Sequence, residues 1–196
     1  MLVYDMEQGS AEWFAIRKGK MGASHAGAIA AAGKGLDTYI MDVMEDCYKQ
    51  TSEKGYTNAD MERGNNLEAQ ARAMYELETG NEVEQVGWVE HNEYWGCSPD
   101  GMVDQDGNVE IKCPNDKKYF KYMIDGEIEK GYFWQMQMQM LVCEREWCDY
   151  VVYNPNFNKS IIIQRVLKDA KSIEKLIQGL ELGAVKIETI RRKING

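Results

Sequence analysis

The chain has 196 residues, 44% apolar and 28% charged, with a formal net charge of −9 at neutral pH. That length allows one domain with a sizeable core. The acidity argues against a protein that coats nucleic acid, and no apolar run approaches the roughly 20 residues that cross a bilayer. Five unevenly spaced cysteines (Cys47, Cys97, Cys113, Cys143 and Cys148) read as reduced thiols. The first residues carry no secretory pattern, so a cytoplasmic location is expected, without membrane contact.

In chain order, residues 10–18 read as a short helix capped by Ser10, with Trp13, Phe14 and Ile16 as its apolar residues. Residues 19–22 turn. A second helix is expected from Ser24, as cap, to Ala32, stopped by Gly33 and Gly35. A third spans 38–49, with Ile40, Val43, Met44 and Cys47 at helical spacing. The clearest helix runs from about Asn58 to Glu78, with Leu67, Ala71, Met74, Tyr75 and Glu78 on one stripe.

The period then changes. Residues 84–91 and 94–98 read as a hairpin around Asn92-Glu93, and 109–113 as a third strand after Gly107-Asn108. Residues 132–142 alternate Gln and Met, but these are helix formers and β-branched residues are nearly absent, so a helix is expected. Residues 148–153 and 160–166 form a second hairpin. A closing amphipathic helix, about 168–193, buries Ile173, Leu176, Ile177, Leu180, Ala184 and Ile187. The order implies an α/β fold, a small mixed β-sheet flanked by helices, in one domain over 1–196 with the last helix packed on the core.

The chemistry concentrates between Ser98 and Pro114. Asp100 follows a proline, and ten residues later comes Glu110-Ile111-Lys112. Strand geometry puts Glu110 and Lys112 on one face and Ile111 on the other. A hairpin can set Asp100 beside Glu110. Two carboxylates and the Ile111 carbonyl are hard oxygen ligands, suited to Mg²⁺ or Mn²⁺, one ion or two. A lysine there can hold or deprotonate an attacking water and stabilise charge on a phosphate. Asp104 and Asp106 read as turn residues. His25 and His91 fit no metal-ligand pattern.

These residues resemble the lambda-exonuclease (YqaJ-type viral recombinase) branch of the PD-(D/E)xK nucleases. Four segments match in order: Trp13 to Ser24 with Arg17 and Gly19, Gly64 to Glu68, Ser98 to Pro114, and Gln135-Met-Gln137. The resemblance implies a restriction-endonuclease-like core. It implies an enzyme that degrades one strand of linear double-stranded DNA from the 5′ end, with a ring-trimer assembly and a single-strand annealing protein as partner. Asp100, Glu110, the Ile111 carbonyl and Glu68 then match the metal ligands, and Lys112 the catalytic lysine. Arg17, Ser24, Ser98 and Gln135 match the residues that hold the 5′-phosphate, and Gln135 also belongs to the catalytic set.

The residues alone leave alternatives. Glu68 is four residues from Arg72 and can be a surface ion pair. Gln137 points about 200° around the helix from Gln135. Lys112 is either a general base or an electrostatic stabiliser. Another PD-(D/E)xK nuclease, RecB-like or Cas4-like, and a non-catalytic DNA-end-binding module are the competing functions.

Overall fold

The structure is a computed structural model and describes residues 1–49 and 59–196, with the backbone alone for 59–62, 64 and 65. Strand β1 (Leu2–Tyr4) leads into helix α1 (Ala11–Arg17), where the Ser10 side chain accepts from the Trp13 amide, as the cap reading requires. A 3₁₀ turn (Ala23–His25) precedes α2 (Ala26–Ala31). Ser24 lies inside that turn and caps nothing, so the expected cap is corrected. Helix α3 (Lys34–Tyr48) starts four residues earlier than expected. Gly33, in extended conformation, begins it, and Gly35 is absorbed because Leu36 beside it anchors the first turn in the core.

Helix α4 (Ala59–Thr79) ends at Gly80, whose φ of +73° is left-handed. Asn58, where this helix was expected to begin, lies outside the described residues. Ala71 and Tyr75 are fully buried, whereas Glu78 is exposed rather than part of the buried stripe.

The strand expected over 84–91 is two strands in two sheets: β2 (Val83–Glu84) and β3 (Trp88–Glu90). Gly87 separates them, and a side chain there would collide with Met6, where the N-terminal segment crosses. Strand β3 pairs with β1 and with β4 (Gly96–Cys97) in a small antiparallel sheet. The main sheet has the order β2, β5 (Gly101–Val103), β6 (Gly107–Lys112), β7 (Trp147–Tyr153), β8 (Ile161–Leu167). Only β6 and β7 run parallel. The crossover between them carries α5 (Asp116–Asp125), capped by Asn115, and α6 (Lys130–Val142).

The chain closes with α7 (Ala170–Asn195), capped by Asp169. Leu176, Leu180 and Ile187 are fully buried along it. Ile177 is 40% exposed, contrary to expectation, because it lies about 100° around the helix from Leu176.

The mixed five-stranded sheet has different partners on its two faces. Val109, Ile111, Val151 and Tyr153 pack with Ala71 and Tyr75 of α4. Cys148, Tyr150 and Val152 pack with Tyr119 of α5 and with Met136 and Met140 of α6. A third core joins α2, α3 and α7 to the small sheet and to Met138 and Val142 of α6. All five cysteines are free thiols. No helix among the described residues is long and apolar enough to cross a membrane.

Candidate active site

The site forms where the β5–β6 hairpin meets α6. Asp104, left-handed at φ +49°, helps turn this hairpin, so Gly101 stands opposite Val109. Asp100 just precedes β5, and its Oδ2 accepts the Ile111 amide at 2.7 Å. The acid side chain thereby continues the ladder by one bond past the end of β5. Ile111 turns its side chain to the α4 face, leaving Glu110 and Lys112 on the α6 face, as period-two geometry dictates.

Glu110 is fully buried. A buried carboxylate needs compensation, and three groups supply it. Oε1 accepts from the Lys112 ammonium and, at 2.7 Å, from Gln135 Nε2. Oε2 accepts from Gln139 Nε2 at 2.6 Å. Lys112 also lies 5.1 Å from the Tyr132 ring centre, in cation–π range.

A cleft of about 610 Å³ opens in front, with Glu68, Asp100, Ile111, Lys112 and Tyr132 among its walls. Glu68 reaches it from α4 while pairing with Arg72 at 2.7 Å, so the ion pair and the position at the cleft coexist. Burial raises the Asp100 pKa, and Glu110 and Glu68 add to this against the opposing effect of Lys112, so that it reaches about 8. For Lys112, burial favours the neutral amine, but Glu110 and Asp100 outweigh it and the net shift is upward. The lysine is an ammonium.

The donor set suits a small divalent cation. Like-charged acids crowd one another, and a cation would relieve that repulsion. Among the described residues no three acidic, histidine or cysteine side chains enclose a metal position by themselves. Mg²⁺ does not demand that, because it keeps several waters and binds through one or two carboxylates.

The residues read as phosphate ligands fall into two groups. The Arg17 guanidinium stacks 3.7 Å from the Trp13 ring centre and 5.6 Å from that of Trp88. Burial lowers its pKa, and among the described residues no carboxylate acts on it. Trp13 is held by Ser98, whose Oγ accepts from its Nε1 at 2.8 Å and itself donates to the Gly87 carbonyl at 2.6 Å. Ser24 is exposed, with its Oγ 3.2 Å from His25 Nδ1, and His25 stacks on Tyr39. The turn bearing Ser24 packs against α6. Gln135 belongs with Glu110, behind the cleft, and Arg17, Ser24 and Ser98 are outside the cleft lining.

Three contributors were missed from the sequence. Gln139 is one helical turn from Gln135, a spacing that could have been read, but the Gln/Met alternation masked it. Tyr132 carries no local signal. Gln8 also lines the cleft and ties Val86 to Pro99 through their carbonyls, a link between distant segments.

The model of the YqaJ-like viral recombinase domain matches residues 12–146. The crystal structure of an alkaline exonuclease (LHK-Exo) from Laribacter hongkongensis is 33% identical, covering 95% of this chain and 98% of that one, with a TM-score of 0.81. The same enzyme in complex with dAMP gives 34% identity, the same coverage and a TM-score of 0.83. A phage related exonuclease from Haemophilus somnus 129PT shares the fold at 16% identity, covering 89% of this chain and 96% of that one, with a TM-score of 0.60. No curated protein sequence matches the chain.

Proposed function

This chain belongs to the YqaJ-like viral recombinase family, and on that footing we propose that it is a Mg²⁺-dependent exonuclease acting on linear double-stranded DNA. It removes nucleotides from the 5′ end of one strand and leaves 3′ single strands for phage-type recombination. The observation that carries this reading is the group of crowded acids with Lys112: Asp100 and Glu68 on the wall of a nucleotide-sized cleft and Glu110 buried behind them.

Asp100, Glu68, Glu110 and the Ile111 carbonyl would hold the ion, with Mn²⁺ as a substitute. When bound, the ion supplies Lewis acidity toward the phosphodiester. Lys112, charged and anchored on Glu110, holds the attacking water and offsets charge developing on the phosphate. Gln135 fixes the Glu110 carboxylate. Arg17, a cation without a carboxylate partner among the described residues, offers its planar fork to the 5′-phosphate, with Ser24 as a further phosphate ligand in this reading and Ser98 holding Trp13, on which Arg17 stacks. Working partners in this reading are a second and third copy in a ring and a single-strand annealing protein, in the cytoplasm, with residues 1–196 acting as one nuclease domain.

The test uses linear duplex with and without 5′-phosphate, in Mg²⁺, for wild type and Lys112→Ala. Nucleotide release should favour phosphorylated ends and drop at least ~10²-fold in the variant. Closed circles degraded as fast as linear DNA would refute the exonuclease assignment. No release by wild type in Mg²⁺ or Mn²⁺ would refute catalysis.

A further inference from the structure

Helix α6 carries three glutamines among its methionines, and they make different contacts. Gln137 is fully buried with both amide ends used. Its Nε2 donates to the Leu167 carbonyl at 2.9 Å and its Oε1 accepts from the Asp169 amide at 2.8 Å, tying α6 to the start of α7. Gln135 stands at the half-buried edge and donates to Glu110 Oε1. Gln139 is fully buried and donates to Glu110 Oε2, while its own Oε1 finds no partner among the described residues.

That orphaned oxygen decides between packing and function. A buried amide oxygen without a donor destabilises the fold. Methionine, which stands on both sides at 138 and 140, would fill the space without that cost. A polar side chain therefore sits where packing alone favours an apolar one, and the group it reaches is the buried acid of the site. Gln135 and Gln139 are one helical turn apart, so they grip opposite oxygens of one carboxylate and fix its plane. Asn108, on the same face of β6 as Glu110, is also fully buried, and neither of its amide atoms has a partner among the described residues. The polar zone thus continues behind Glu110.

We propose that Gln139 is a positioning residue: it sets the Glu110 carboxylate in the orientation that receives the divalent ion. The inference rests on the metal-dependent reading above. Hydrogen-bond partners of metal ligands commonly govern metal affinity or activity by 10–100-fold.

The experiment compares Gln139→Met with Gln137→Met. Mg²⁺ binding to the ion-free protein is measured calorimetrically without DNA. Thermal midpoints, and kcat and KM on 5′-phosphorylated linear duplex, are measured alongside. Gln139→Met should weaken Mg²⁺ binding by roughly 10–100-fold and lower kcat, with KM for DNA ends and the midpoint close to wild type. Gln137→Met should lower the midpoint and leave Mg²⁺ binding intact. Wild-type Mg²⁺ affinity and kcat in Gln139→Met would overturn the proposal, and so would joint losses of stability and binding like those of Gln137→Met. If the methionine variant does not fold, Gln139→Asn carries the same test, keeping the amide but withdrawing it from Oε2. A wild type that neither binds Mg²⁺ nor releases nucleotides refutes the nuclease reading itself. An active wild type matched by its Gln139 variant refutes only the positioning role.

Discussion

Asp100 is where the site's charge conflict is felt. In the folded chain it keeps its proton to about pH 8, whereas an unfolded aspartate releases it near pH 4. Between those values the folded state binds the extra proton, so stability falls as pH rises through the window. Asp100→Asn removes that slope. With chelator present, the variant should gain on wild type between pH 5 and pH 8 by on the order of 1–2 kcal/mol, allowing for screening by water in the open cleft. Thermal midpoints at the two pH values check this, and parallel curves for both proteins would contradict it. Under the proposed function metal and proton compete for the same oxygens, so Mg²⁺ should raise the wild-type midpoint more at pH 8 than at pH 5. Asp100, Glu110 and Lys112 were legible because strand alternation and a proline-bounded hairpin leave them little freedom, whereas Glu68, equally readable as the partner of Arg72, came only with the family resemblance. Gln139 was not, since nothing local distinguishes a buried glutamine that holds a carboxylate from Gln137, which holds two backbone groups.

Helices α2 and α7 cross at a point where one of them has no side chain. A Cβ at Gly179 would fall on the Ile29 carbonyl, and one at Gly183 on Met21. At Gly179 the approach is backbone to side-chain-free backbone, so the neighbour cannot move aside cheaply. Gly179→Ala should cost about 1–3 kcal/mol through overpacking and lower the thermal midpoint by roughly 2–10 °C. An unchanged midpoint would mean the crossing is looser than described. The long, strongly patterned α7 could be read from periodicity, α4 from its short stripe of Leu67, Ala71, Met74 and Tyr75, and α6 from its helix formers. Short ones could not. Strand β5 has three residues and exists because β2 and β6 flank it. Helix α5 buries Tyr119 but leaves Phe120, Met123 and Ile124 exposed, so its apolar residues mark its buried face only in part, although Asn115 signals its start. The apparent strand over 84–91 broke at Gly87 because a distant segment, at Met6, needs that space.

For the molecule as a whole, α6 is the shared wall. It gives Met138 and Val142 to the helical core and Met136 and Met140 to the core under the sheet. Losing either core strips one side of the same helix, so the two should unfold together. Tryptophan fluorescence and far-ultraviolet circular dichroism should trace one coincident denaturant transition, and separated midpoints would show that the cores are independent. The shared wall has a further meaning for how the protein is made. Chains leave the ribosome N-terminus first, and β6 emerges with Glu110 and Lys112 before α6 and β7 have emerged. Until β7 arrives, one edge of the acid-bearing strand is unpaired, and until α6 docks Glu110 lacks both amides. A nascent chain arrested before residue 130 carries every acid of the centre but lacks the α6 amides and the β7 edge that fix Glu110, so the centre is completed only when α6 and β7 join β6.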